Sequence, residues 1–375
     1  MRRAFPLVIT VIAVLGVSVV LLVSGILGGG SDPADPDPVV PVPDLPEGIT
    51  ADVDEGLLCS SDEITWNVID LLGTYMLKQG YRWVENPGVT TTGTSIHLDP
   101  GVYRVTAGDA GFEITIPGTI TRTASWSYDY DGTVHRVGVT YTVDAAEVSL
   151  QKSRSVEFNQ PNRKYLFEDL PLLVEVTESV RSLEDALRGE FERIGGDIGD
   201  RQSYADFIAS FPQLAIEYPH RASGHGEDYS IYGLDEYWAR PLETMVLQYG
   251  DCDDTAVLVS ALYIAAGYKA AVGGYSGHVF AGVALDSFEE VSKERRKEVN
   301  KYNSFSYAAQ VPVAGTAEGA LADTMFYAVE TTKGQIFVGY LTSGMTYLEG
   351  EIKTKWGLAG FYPVQGAESG IQGSS

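Results

Sequence analysis

The sequence predicts an α+β protein, and three observations predict it. Apolar side chains alternate with period two over 95–143, recur at helical spacing from Val176 to Ile194, and fill a run from Cys252 to Gly267 that precedes two short strand-like segments. A content of 44% hydrophobic and 21% charged residues over 375 positions is that of a folded chain long enough for two ordinary domains. Fifty-one acidic against 26 basic residues leave a formal charge of −25, which excludes a phosphate-tracking surface and therefore nucleic acid as a partner. With 2 cysteines, 5 histidines and neither a CxxC nor an HExxH spacing, zinc-finger and zincin chemistry are excluded as well.

Taken in chain order, Arg2 and Arg3 precede Leu7 to Gly28, an uncharged run of 22 residues. As a helix it would reach about 33 Å, enough to span a bilayer core. It is longer than the apolar part of most cleaved signal peptides and reads as an uncleaved single-pass anchor, with the arginines inside and residue 29 onward outside the cytoplasm. Residues 29–48 hold six of the 17 prolines and read as an extended spacer. Ser60-Ser61-Asp62-Glu63 has capping-box spacing, and Ile64, Val68, Leu71, Leu72 and Tyr75 then predict a helix over 62–78. The alternation from Ser95 to Val143 predicts a small antiparallel sheet of four to six strands, with Asp131-Gly132 as a type I′ hairpin turn. Val176, Val180, Leu183, Leu187, Phe191 and Ile194 form one helical stripe, which Gly195-Gly196 ends.

The chain is thus expected to divide into an anchor (1–28), a linker (29–48), a mostly β domain of unassigned role (49–168), a second domain (169–345) and a C-terminal extension (346–375) with a disordered tail.

Chemistry concentrates between Trp238 and Leu285. Gly250-Asp251 ends a loop, and Cys252 opens a helix whose Ala256, Val257, Val259, Leu262 and Ile264 mark it as buried. A thiol in the first helical turn faces free N–H groups and the positive end of the helix dipole, which favours thiolate. Asp251, Asp253 and Asp254 oppose this, so a cationic partner is needed. Lys269–Tyr275 and Val279–Leu285 read as two strands joined by Ser276-Gly277, with His278 at the mouth of the second. That placement can bring imidazole to the helix N-terminus, as a cysteine–histidine pair requires.

Gly250-Asp251-Cys252-Asp253-Asp254, Ala266-Gly267-Tyr268, Gly277-His278-Val279 and the run from Tyr327 to Thr332 resemble the catalytic core of the transglutaminase-like superfamily, in its prokaryotic membrane-anchored branch. The resemblance spans about 170–345 and is most specific over 238–285. It implies a papain-like core, a buried cysteine helix on an antiparallel sheet, with Cys252 as nucleophile, His278 as general base and acid, and Glu330 as the group that orients the imidazole. The family has Asp in an Asp-x-Thr setting where this chain has Glu330-Thr331-Thr332, and Asp286 is the second candidate for the third role. The implied reaction is amide cleavage or acyl transfer through a thioester on a peptide or protein substrate, with a cell-envelope polymer as a further candidate ligand and no metal or organic cofactor. One oxyanion donor would be the Cys252 N–H; Gln213, Trp238 or a loop amide could supply the other.

Competing fates of these residues are structural. Cys59, beside Leu57 and Leu58, reads as a buried free thiol, and a Cys59–Cys252 disulfide would silence the site. Asp254 reads as an early-helix carboxylate that meets the dipole, and His220 and His225 as residues of a polar rim. Tyr218, Tyr229, Tyr232, Tyr237 and Trp238 could line a substrate groove, and His97 and His135 carry no assigned role.

Overall fold

The computed structural model describes residues 50–52, 57–59, 65–72, 88–92, 99–107, 110–160, 163–219, 224–232, 234–275, 277–300, 313–317, 321, 323–332, 334–341, 345–348, 351–354, 357–358 and 360–364. The expected anchor, linker and tail, with His97 and His220, lie outside them. Among the described residues no helix is long and apolar enough to cross a membrane. Mixed helix and antiparallel sheet make the protein α+β. The chain forms two compact units that divide after Gly118, about fifty residues before the expected boundary at 168/169.

The first unit pairs β1 (Thr50–Asp52) with β2 (Leu57–Cys59). It also holds a four-stranded sheet in which β3 (Thr65–Asp70) lies between β4 (Gly88–Thr92) and β5 (Gly101–Ala107), with β6 (Ala110–Ile116) outside β5. The helix expected over 62–78 is therefore corrected: residues 65–70 are a strand. Thr65, Val68 and Ile69 are β-branched and suit a pleated backbone. Val68 finds Val89 across one ladder and Val105 across the other, partners that no local period can reveal.

In the second unit β7 (Thr119–Tyr130) and β8 (Thr133–Asp144) form the expected hairpin, with Asp131 and Gly132 both at positive φ as a type I′ turn requires. These strands do not extend the first sheet. Their inner face, including Trp126, Tyr128, Val137, Val139 and Tyr141, is buried against helices of the second unit. Trp126 Nε1 donates to Ser210 Oγ at 3.0 Å, and the Tyr141 hydroxyl donates to the Met245 carbonyl at 2.7 Å. That packing moves the domain boundary to the start of β7.

The helix Glu178–Arg193 buries Val180, Leu183, Leu187 and Phe191 as the stripe predicts, and Gly195 follows at positive φ. The helix Arg201–Ala215 packs beside it through Phe207, whose ring centroid lies 5.1 Å from that of Phe191.

The sheet that carries the candidate site has strand order β11 (Ala314–Thr316), β12 (Met325–Val329), β10 (His278–Ala284), β9 (Ala270–Tyr275), β16 (Gly360–Pro363), with every neighbouring pair antiparallel. Of the expected extension 346–375, residues 360–363 are thus an edge strand of this sheet. Phe361 seats it, with its ring centroid 5.6 Å from Phe280 and 6.1 Å from Phe326. Between these elements β13 (Met345–Leu348), β14 (Glu351–Thr354) and β15 (Gly357–Leu358) form a separate three-stranded sheet.

Candidate functional site

Cys252 opens the helix Cys252–Ala265, whose N-cap is Asp251; the Asp251 carboxylate accepts the Asp253 N–H at 3.2 Å. The preceding Gly250 is required by close approach. A Cβ there would lie 2.8 Å from the Asp254 Cβ and 3.1 Å from Thr244 Cγ2, too close for either to stay in place. The body of the helix is buried through Ala256, Val257, Leu258, Val259 and Leu262, so the nucleophile candidate stands at the end of a fixed rod. Cys252 is a free cysteine of intermediate exposure.

His278 opens β10 after Gly277, which turns the chain at a φ of 85°. Glu330 directly follows β12, the strand on the other side of β10 from β9. The long insertion between them is spanned by sheet pairing: Ala281 lies opposite Val329, which brings the end of β12 back toward the mouth of β10. His278 Nε2 bonds Glu330 Oε2 at 3.1 Å, and the Glu330 side chain is fully buried. The longer Glu side chain is accommodated because its other oxygen, Oε1, accepts from Thr331 N at 3.0 Å, Thr332 N at 3.2 Å and Thr332 Oγ1 at 2.8 Å. Asp286 is exposed beyond the end of β10, and Glu330, not Asp286, meets the imidazole.

Two further links hold the acid against the cysteine helix. Thr255 lies one helical turn below Cys252, and its Oγ1 is 2.9 Å from Thr331 Oγ1. The single Thr255 hydroxyl proton goes to the Asp251 carbonyl at 2.6 Å, so Thr331 is the donor between the two threonines. From the opposite side Gln213 Nε2 donates to the Glu330 carbonyl at 2.7 Å and to the Ile336 carbonyl at 3.0 Å, while its Oε1 accepts the Ile336 N–H. Gln213 is consequently a clamp on the Glu330 loop, and its amide protons are spent.

Trp238 is likewise committed. Its N–H donates to Asn159 Oδ1 at 2.9 Å and its indole Nε1 to Glu236 Oε1 at 2.6 Å. Neither side-chain candidate for the second oxyanion donor keeps a proton to offer, which leaves a loop amide. The proposed aromatic groove is corrected in part too. Tyr237 and Trp238 are buried, with Tyr237 stacked on Tyr232 at 3.9 Å and Trp238 on Phe158 at 6.0 Å, so they are packing residues. Tyr229 stays exposed and stacks on His225, which pairs with Asp235 at 2.8 Å, the rim arrangement expected of that loop.

Electrostatics at the site oppose one another. Burial pushes the Cys252 thiol well up, and the charges of Asp251, Glu236 and Glu330 add to this, while the backbone N–H of Val279, next in the chain to His278, pulls it down. Burial works against charging His278, but the Glu330 charge, its hydrogen bond and the Asp251 charge outweigh it and raise the imidazole pKa. Burial also pushes Tyr218 far up, and the Cys252 and Asp251 charges add to it, so its hydroxyl stays protonated.

Behind the thiol lies a set of carboxylates. Asp228, Asp251 and Asp254 each place an oxygen within 4.8 Å of the others, and all three are buried. Burial first, and then their mutual repulsion, raises Asp254 and Asp228. Asp254 lies in the first turn of the cysteine helix, as the sequence reads, and there it is fully buried with its Oδ1 accepting the Ala239 N–H at 2.8 Å.

Sequence reasoning missed Val279 N–H, Gln213 as a clamp, the Thr255–Thr331 tie and Asp228. Only the threonine tie had a local signal, since Thr255 sits one turn from Cys252 and Thr331 beside Glu330. No family model, no curated protein and no solved structure matches the chain.

Proposed function

We propose that the protein is a membrane-anchored, extracytoplasmic cysteine enzyme of transglutaminase-like type that cleaves or transfers amide acyl groups of a peptide or protein. The observation that carries this reading is the hydrogen bond between the fully buried Glu330 carboxylate and His278 at the mouth of β10. Because Glu330 engages Nε2, the ring nitrogen left for the thiol is Nδ1, the polarity a papain-like triad needs.

In this reading Nδ1 takes the thiol proton as sulfur attacks the carbonyl, and His278 returns it to the leaving amine. The carbonyl oxygen is held by the Cys252 N–H and a second loop amide while it carries charge. Water then opens the thioester in a peptidase or amidase, and a lysine amine would do so in a cross-linking enzyme. Hydrolysis is preferred, since nothing in the chain specifies an amine site.

A second reading has its own observation: a thiol pushed up by burial and by three carboxylates suits a quiet site, so a non-catalytic module that binds peptide or envelope polymer in the same place is the alternative. A mixed peptide library separates them, with acid-quenched mass mapping of Cys252 and a primary amine as a competing acceptor. The enzyme reading expects cleavage or amine incorporation with a thioester on Cys252, both absent from Cys252→Ser. A module expects ligand binding equal in the two proteins with no turnover. Turnover that survives Cys252→Ser would overturn the catalytic role of the thiol.

A further inference from the structure

The stretch 163–168 has the form of a strand that belongs to no sheet. Arg163, Tyr165 and Phe167 are half-buried and alternate with exposed Lys164, Leu166 and Glu168, and Leu166 has extended backbone angles, φ −124° and ψ 135°. Side chains fix the stretch at three points. The Tyr165 ring centroid lies 4.8 Å from that of Trp238, and its hydroxyl points at Asn159 Oδ1, 3.0 Å away, and at the Glu236 carbonyl, 3.3 Å away. The Arg163 guanidinium lies 3.6 Å from the Phe158 ring centroid and pairs with Asp169 at 3.2 Å. Phe167 packs on β9, where a Cβ at Gly274 would lie 2.6 Å from its Cδ1, so only glycine admits the ring.

Two of these anchors belong to stretches that act on the Cys252 sulfur. Tyr165 is held by Glu236 and Trp238, and the Glu236 charge reaches the thiol; Gly274 lies opposite Val279, whose backbone N–H reaches it too. Between the anchors the main chain is ordered but unpaired. The Leu166 carbonyl accepts the Asp169 N–H at 2.9 Å, whereas the Tyr165 N–H and carbonyl have no hydrogen-bond partner among the described residues. In extended backbone both groups of one residue point to the same edge, so Tyr165 presents a donor and an acceptor that a second extended chain meets with two hydrogen bonds.

We infer that residues 164–166 are a substrate-pairing strand, to which an extended peptide segment adds through the main chain of Tyr165 on its way to Cys252. The inference rests on the reading of Cys252 and His278 as the reacting pair and names the form of their substrate, a linear stretch of polypeptide instead of a folded surface. Pairing through the main chain tolerates many sequences. Because side chains alternate, the substrate residue opposite Tyr165 faces the protein with it, and the residues on either side face outward with Lys164 and Leu166. Selectivity then belongs to every second substrate residue.

The test uses the full chain in detergent, alkylated with acetyl-trialanine chloromethyl ketone, from which the sulfur displaces chloride, or with iodoacetamide as the control that carries no peptide. Mass mapping verifies the label on Cys252, and hydrogen exchange is then read residue by residue over 163–168. The peptide adduct should slow exchange of the Tyr165 amide by about tenfold relative to the control, the effect of one net hydrogen bond, and leave Lys164 and Leu166 close to unchanged. In reagents N-methylated at one alanine at a time, one position should abolish the protection and its neighbour should not. Equal slowing at 164, 165 and 166, protection that survives every N-methylation, no protection, or a Cys252 that neither the peptide reagent nor iodoacetamide reaches would each overturn the pairing strand. Alkylation needs no turnover, so protection of Tyr165 in a protein that cleaves no peptide would keep the strand and remove the enzyme reading alone.

Discussion

At the scale of single residues, the charge state of His278 is set by a contest between its burial and Glu330. If His278 must be neutral to accept the Cys252 proton, activity falls as pH drops through its raised pKa. Replacing Glu330 with Gln keeps a hydrogen-bonding group and removes the charge, so burial prevails and the imidazole pKa drops. Glu330→Gln is therefore expected to move the acid limb of the kcat/KM profile to lower pH and to reduce the plateau on the order of 10²–10⁴-fold. A pH–rate profile whose acid limb stays in place would show that Glu330 does not set the imidazole. The Thr331–Thr255–Asp251 chain can be tested apart from activity. Thr255→Val leaves the buried Thr331 hydroxyl without its acceptor at a cost of about 1–3 kcal/mol. In a double-mutant cycle measured by urea unfolding, the second substitution, Thr331→Val, should add much less than it costs alone.

At the scale of elements, the sheet explains how residues far apart in sequence share one site. β10 carries His278 at its start, β12 delivers Glu330 at its end, and the cysteine helix is buried over a core to which both strands contribute. The edge strand β16 comes from a segment whose sequence reads as an appendage. Phe361 is buried against Phe280 and Phe326, and Gly282 and Gly315 make room for it, since a Cβ at either would lie 2.9–3.0 Å from its ring. Phe361→Ala should cost about 3–5 kcal/mol in chemical denaturation, and unchanged stability would mean that β16 is dispensable.

At the scale of the whole molecule, stability depends on pH through an acid remote in sequence from the site residues. Asp206 is buried in the helix Arg201–Ala215, where its Oδ1 accepts the Val338 N–H. Burial pushes its pKa up to about 8, with Asp200 adding and the Val338 bond opposing. An unfolded Asp ionises near 3.9, so between about pH 4 and 8 the unfolded chain binds fewer protons than the folded one, and stability falls as pH rises through that window. Each unit of pH there costs about 1.4 kcal/mol from this group. Asp206→Asn keeps the acceptor for Val338 and cannot ionise. Its Tm is expected to match wild type near pH 4 and exceed it at pH 8, and parallel Tm–pH curves for the two proteins would refute this.

What the sequence determined by itself was local. The β7–β8 hairpin was legible because Asp131-Gly132 accepts positive φ, the helix Glu178–Arg193 because its apolar stripe has period 3.6, and the cysteine helix because an apolar run begins at Asp251-Cys252 and ends at a glycine. His278 at a strand mouth was legible for the same reason. Over Thr65–Asp70 a helix-like spacing misled, because sheet partners from Gly88–Thr92 and Gly101–Ala107 outweigh a six-residue pattern. The tertiary structure alone decided that β7 and β8 belong with the helices, that residues 360–363 return to the sheet edge, and that Gln213 holds Glu330 instead of facing a substrate. It alone also brought Asp228 to Asp251 and Asp254. Each of these depends on hydrogen bonds and burial between segments tens to hundreds of residues apart, which composition and period do not encode.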